Sequence, residues 1–234
     1  MAVLATIQDN WRTVLSRVFA RDIADAHAEI TYFKIGEGGF VNLPPKEPVA
    51  PDAARSDLES EGTDAPSGGT ATFTSGSALV SGVGTSFLAD LSPGDWIKPG
   101  PTPSASSGSA GVIGSEIDTW GQVLTVDGNL QVTLTAPYAG PTTAGRAVRV
   151  APEPYYTFRK AVDAGNATFI NPNITEITTI TGSTEANSDQ LGNNPEFFEL
   201  GLFDSNGVMV VYVTYDAQTK INGVQLNHIV QILT

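Results

Sequence analysis

The chain has no cysteine and only two histidines among its 234 residues. That excludes a disulfide framework and a thiolate metal site, and thiol usage does not mark a redox compartment. Basic residues are scarce too: 12 Lys and Arg face 25 Asp and Glu, for a formal net charge of -13. Phosphate backbones and anionic lipid surfaces need clustered cations, so the balance argues against nucleic acid and membrane as partners. No apolar run is long enough for a membrane-spanning helix. Met1 to Asn10 lacks the basic and apolar regions of a secretory signal. Without such a signal, the sequons at Asn166 and Asn173 read as chance matches.

Motifs that carry chemistry are equally thin. There is no His-Glu-x-x-His pair and no Gly-x-Ser-x-Gly elbow. Gly36-Glu37-Gly38-Gly39 is not followed by Gly-Lys-Ser/Thr and is too short for a dinucleotide fingerprint. Its glycines instead suit a tight turn or a close backbone approach. His27, after a helix end, and His228, on an apolar strand face, would be ligands only if the fold joined them with a carboxylate; a surface cap and a satisfied core histidine are the simpler reading. Glu196 and Glu199 form a carboxylate pair in sequence, but their strand-turn-strand setting offers no cleft. Asp204-Ser205-Asn206-Gly207 opens like a calcium loop but lacks the third acidic position and the distal glutamate, which leaves a turn. Tyr155, Tyr156 and Phe158 could stack on a sugar or a partner, with core packing the plainer alternative. The expectation is a protein without catalytic residues, cofactor or metal.

What the sequence has in abundance is β-structure. Trp11, Val14, Leu15, Val18 and Phe19 recur at helical spacing and predict one amphipathic packing helix at about 10–24. Glu29 to Ile35 reads as a strand. Residues 41–69 change character, with Pro44, Pro45, Pro48, Pro51 and Pro66 among acidic and small residues. This composition predicts an extended linker or arm over 46–68, mobile until it meets a neighbour, and deleting 46–64 should leave the melting temperature nearly unchanged. From 69 to 150, short strands and frequent turns predict a small all-β sandwich or barrel, inserted in a loop of the surrounding domain and able to fold alone around Phe87 and Trp96. Within it, Trp120 to Val126 and Leu130 to Thr135 form a hairpin, and Pro101 to Gly111 is a Pro/Ser/Gly loop.

Pro195 to Thr234 is the organising stretch. Phe197 to Phe203, Val208 to Tyr215 and Val224 to Leu233 predict a three-strand meander. Both faces of the middle strand are apolar, so it should be covered on both sides, by its own domain or by another subunit. Phe198, Leu202, Phe203, Met209, Val211, Tyr212 and Tyr215 are therefore the candidates for an assembly interface. The expected fold is mainly β (α+β): an antiparallel domain of 1–45 with 151–234, carrying the N-terminal helix, plus the inserted module at 69–150.

Phe198-Glu199-Leu200-Gly201-Leu202-Phe203-Asp204-Ser205-Asn206-Gly207-Val208-Met209 resembles the "E-I/L-G-L-F-D-x-x-G" hairpin of bacteriophage tail-collar fibre and baseplate-attachment domains. The helix followed by Tyr32-Phe33-Lys34-Ile35-Gly36-Glu37-Gly38-Gly39 is similar to the opening of those domains. Thr74 to Phe87, with Leu91-Ser92-Pro93-Gly94-Asp95-Trp96-Ile97, looks like a β-module recurrent in phage structural proteins. The three stretches are turn-and-strand signatures. The resemblance implies a non-enzymatic virion protein of a tailed phage, made in the host bacterial cytoplasm and built into the tail. Its partners would be other tail and baseplate proteins, with copies of itself in threes or sixes. The chain reaches Thr234 without a repetitive shaft or receptor-binding tip, so a short adaptor in baseplate, tail or neck is expected rather than a fibre. The alternatives are a host-glycan or receptor-binding module of the tail, a head–tail connector, and an enzyme such as a depolymerase, which would need a cleft carboxylate pair.

Overall fold

The computed structural model describes residues 3–8, 30–41, 45–100, 119–171, 174–204 and 207–233. The helix expected at 10–24, His27 and the loop at Pro101 to Gly111 lie outside them. The described residues are mainly β, with antiparallel sheets and a single short α-helix. In chain order the strands are β1 (Val3–Ile7), β2 (Ile30–Gly36), β3 (Phe40–Val41), β4 (Glu47–Pro48), β5 (Thr63–Asp64), β6 (Thr70–Phe73) and β7 (Leu79–Val83). Helix α1 (Phe87–Asp90) precedes β8 (Trp96–Pro99), β9 (Gly121–Gly128), β10 (Gln131–Leu134), β11 (Thr143–Arg146) and β12 (Val148–Ala151). Then come β13 (Thr157–Ala161), β14 (Ala167–Asn171), β15 (Ile174–Thr181), β16 (Glu196–Asp204), β17 (Met209–Thr219) and β18 (Leu226–Leu233). The chain divides into two compact units, the second drawn from 60–100 and 119–156 of the described residues and the first from the rest.

The first unit centres on a five-stranded sheet in the order β1-β17-β16-β2-β13, every pairing antiparallel. Strand alternation sorts its side chains. Cross-strand partners Tyr32 and Phe203, Lys34 and Gly201, Gly201 and Tyr212, and Glu199 and Thr214 share one face. Phe33, Ile35, Leu200, Leu202, Val211 and Val213 share the other. The first face is covered by the chain's own segment 46–59. Leu58 is buried among Tyr32, Phe203, Met209 and Tyr212, and each such side chain stabilises by roughly 1.5–3 kcal/mol. The Asp57 carboxylate takes the Lys34 ammonium at 3.1 Å, and the Val49 carbonyl accepts from the Thr214 hydroxyl at 2.6 Å. On the second face, His228 of β18 lies 5.0 Å from the Tyr215 ring, centre to centre. The apolarity of β17 on both faces is thus answered within the chain.

Two sequence expectations are corrected here. The Pro-rich stretch is not one free arm: 46–59 is docked on the first unit and 60–68 belongs to the second. Proline and acidic residues do not form a core, yet single apolar and charged groups among them complete one. The C-terminal meander also fails at its last strand. β17 has β16 on one edge and β1 on the other, so β18 joins a separate sheet, β14-β15-β18, in full register with β15 from Ile174↔Leu233 to Thr181↔Leu226.

In the second unit eight strands run β11-β6-β7-β10-β9-β8-β12-β5. One core unites Phe73 of β6, Val80 of β7, Phe87 of α1, Ile97 of β8, Val123 of β9, Val132 of β10 and Val148 of β12. Strands far apart in the sheet order share that core, so the sheet curls. Phe87 is fully buried as expected, whereas Trp96 is half-buried and Trp120 is the buried indole, its Nε1 donating to the Tyr155 carbonyl at 2.7 Å. Lys98 and Glu61 form a buried ion pair at 2.8 Å.

Candidate functional site

The β16–β17 hairpin that carries the family-like motif sits at the middle of the five-stranded sheet. Its turn is closed by Asp204: the Val208 N–H donates to Oδ1 at 2.8 Å, and backbone bonds join Asp204 to Val208 and Gly207. Gly207 holds φ 82°, a left-handed value that glycine adopts without a Cβ penalty. Ser205 and Asn206 lie outside the described residues. At Gly201 a Cβ would meet Phe203 at 2.7 Å and Leu58 at 3.0 Å, so the absent side chain is the space in which Leu58 sits.

Glu199 is fully buried, and its Oε2 accepts from the Tyr212 hydroxyl at 2.7 Å and from the Glu59 N–H at 2.8 Å. Glu59 in turn accepts from the Gly39 N–H at 3.2 Å and pairs with Arg55 at 2.9 Å. Burial, then the adjacent Glu199 charge, pushes the Tyr212 hydroxyl far above its ordinary range; burial does the same for Tyr215, whose hydroxyl donates to the Glu199 carbonyl at 3.1 Å. Both phenols are therefore locked as neutral donors. The Glu199 carboxylate joins the Glu59 N–H of the covering segment to Tyr212 of the sheet, an arrangement suited to holding chain in place.

The seven interface candidates all lie inside this unit. Phe198, Leu202, Phe203, Met209, Val211, Tyr212 and Tyr215 are each at most 3% exposed, so their apolar surface is already taken by the chain itself. Glu196 is exposed, 3.9 Å from Lys46, whereas Glu199 is fully buried. His228 is half-buried, its Nδ1 3.4 Å from the Thr179 hydroxyl. Burial lowers its pKa to about 4. It helps line a cavity of about 120 Å³ with Leu200, Val213, Tyr215, Gln218 and Val230, mostly apolar and too small for a substrate of any size. Tyr155 and Tyr156 fall in the second unit and Phe158 in β13, so the aromatic run divides. Among the described residues no group of three His, Asp or Glu could hold a metal ion, and no helix is long and apolar enough to cross a membrane.

The Lys34–Asp57 and Glu199–Glu59 ties did not emerge from motif reading. One signal was present: a lysine inside the apolar run Tyr32-Phe33-Lys34-Ile35 must be buried with a carboxylate or not at all. Comparison of the chain with protein-family models, with curated proteins and with solved structures finds no match in any of the three.

Proposed function

We propose that this chain is a non-enzymatic structural component of a tailed-phage virion, an adaptor of tail or baseplate that docks on the particle and connects neighbouring subunits or fibres. The observation that carries the reading is the use made of the hairpin that resembles the tail-collar motif. Glu199, Gly201, Asp204 and Gly207 each serve the backbone: one anchors the covering segment, one leaves room for Leu58, and two close the turn. A motif whose residues are consumed by the fold is a signature of architecture, and Glu199 is bonded and fully buried. The second unit is the inserted module, and a sandwich or barrel is supported by the single core shared by strands distant in its sheet order. Contacts with other subunits fall to apolar side chains that the fold leaves outside, such as Ile229 in the first unit and Val83 and Leu88 in the second.

The test is to purify tailed particles from the bacterium or phage that carries the coding sequence, identify the chain by mass spectrometry and locate it in a cryo-EM map. The expected result is a fixed copy number of three or six at the tail. Complete, infectious particles that lack the chain overturn the proposal.

A further inference from the structure

Away from the hairpin, the segment 182–194 meets the β17–β18 connection at Lys220. This side chain is fully buried. Its Nζ donates to three neutral oxygens: the Ser183 carbonyl at 3.4 Å, the Ile221 carbonyl at 3.2 Å and Asn187 Oδ1 at 2.5 Å. Asn187 is held from its other end, with Nδ2 donating to the Ser183 carbonyl and to Asn222 Oδ1, both at 3.2 Å. Beside it Ala186 is buried at φ 50°, a left-handed conformation that alanine keeps only where its surroundings impose it. Next in line, Glu185 accepts from the Gly182 N–H at 2.6 Å and from Lys160 at 2.9 Å. An amine and a carboxamide are thus in direct contact in one restrained loop, and the Glu185 carboxylate, bonded to Gly182 and Lys160, lies near enough for its charge to act on Lys220.

We propose that this is a self-modification site, where Lys220 and Asn187 join in an intramolecular isopeptide bond with Glu185 as the proton carrier. The ammonium first gives one proton by way of solvent to Glu185, which does not touch it, leaving a neutral amine. Nζ then adds to Cγ of Asn187, and the Nζ–Cγ bond forms as the Cγ–Nδ2 bond breaks. Nδ2 takes up one proton that solvent returns from Glu185 and one from the adduct nitrogen and leaves as ammonium, and Glu185 returns to its carboxylate. One secondary amide and one ammonium ion are formed, with no oxidant, reductant or co-reactant. A carboxamide is a poor electrophile in water, but a fixed neighbour gains a very large effective concentration. Desolvation lowers the Lys220 pKa, with Glu185 opposing it in part, which favours the nucleophilic form. At Glu185 burial favours the acid, but the Gly182 N–H and the charges of Lys160 and Lys220 outweigh it and lower its pKa, so the group begins as the proton acceptor. In a chain without cysteine, such a bond would cross-link 187 to 220 and constrain the unfolded chain as a disulfide does.

The experiment is intact-mass spectrometry of the purified full-length chain, followed by sequencing of its proteolytic fragments. The expected result is a mass one ammonia below that of the sequence, with a branched peptide joining Lys220 to Asn187. Lys220→Arg and Asn187→Ala should retain the full mass, and Glu185→Gln should cross-link more slowly. A wild-type chain of full mass, aged at neutral pH in its folded state, overturns the proposal. So does an ammonia loss that maps to a hydroxylamine-sensitive succinimide at Asn206-Gly207 or Asn222-Gly223.

Discussion

The two units bury their interiors in different ways. The core of the second is a run of aliphatic and aromatic side chains, Phe73, Val80, Phe87, Ile97, Val123, Val132, Leu134 and Val148, with the Lys98–Glu61 pair as a separate buried ionic contact. The central sheet of the first carries a fully buried Glu199 and a nearly buried Lys34 among its aromatics, and each reaches out to segment 46–59. Apolar alternation builds the core of the second unit, and the Lys98–Glu61 pair adds to it. In the first, a segment of low intrinsic order is held over a sheet by a few polar ties and one leucine. Buried charges stabilise little in themselves, but they make the loss of their partners expensive.

That contrast is broken most severely by deleting 46–59. The deletion removes Leu58, a loss of about 2–5 kcal/mol for a buried leucine, and takes the Asp57 carboxylate from the buried Lys34, at a cost of up to about 3–5 kcal/mol. The sum rivals the stability of a whole domain. The first unit should therefore lose its cooperative transition in calorimetry while the second keeps its own. An unchanged melting profile would restore the free-arm view.

A smaller effect separates two versions of the second unit expressed alone. Residues 60–156 keep β5, Glu61 and the Tyr155 carbonyl that accepts from Trp120. Residues 69–150 lose all three, and with Glu61 goes the carboxylate 2.8 Å from the buried Lys98 ammonium. The shorter fragment should be less stable by about 3–5 kcal/mol in urea melts. Equal midpoints would mean that the apolar core alone sets the stability of this unit.

Much of this organisation was legible in local pattern, because strands and turns are written at short range. Glu29 to Ile35, Phe197 to Phe203, Val208 to Tyr215 and the hairpin of Trp120 to Val126 with Leu130 to Thr135 all correspond to strands of the structure. What pattern could not supply is the choice among distant partners. Val224 to Leu233 alternates as a strand should, but whether it pairs with β17 depends on whether β1, some two hundred residues earlier, has taken that edge. The apolar residues of β17 marked a surface needing cover without saying that Leu58 supplies part of it. Composition likewise described 46–68 as poorly ordered on average, while its order rests on Leu58, Asp57 and the backbone of Glu59. The Lys220 cluster left no motif, because its members come from a polar loop and a strand end.

The ties also differ in how they respond to pH. His228 is held between Tyr215 and Thr179, with its pKa lowered from 6.5 to about 4 because burial penalises the imidazolium. The unfolded chain binds the proton first, so stability present above pH 6.5 is lost as pH falls toward 4, by at most about 3 kcal/mol. Urea midpoints of wild type and His228→Asn should therefore converge on acidification between those values, while the second unit, which contains no histidine, contributes nothing to the difference. Parallel pH profiles for the two proteins would remove His228 from the account.

The finest test of the comparison is Glu199→Gln. The substitution keeps the shape and leaves one oxygen able to accept from both Tyr212 and the Glu59 N–H, but it removes the charge that strengthens both bonds. The expected loss is about 1–2 kcal/mol, the difference between a charge-assisted and a neutral hydrogen bond summed over two donors. Because Oε2 is where the covering segment is attached, the loss should be local: amide exchange should rise across 45–59 and at Gly39, whose N–H depends on Glu59, before it rises elsewhere in the sheet. The second unit should be unaffected. Tyr212→Phe, which removes one of the two donors and leaves the other in place, should give a smaller increase over the same residues. Faster exchange spread evenly over both units would mean that Glu199 supports the whole molecule rather than the segment it binds.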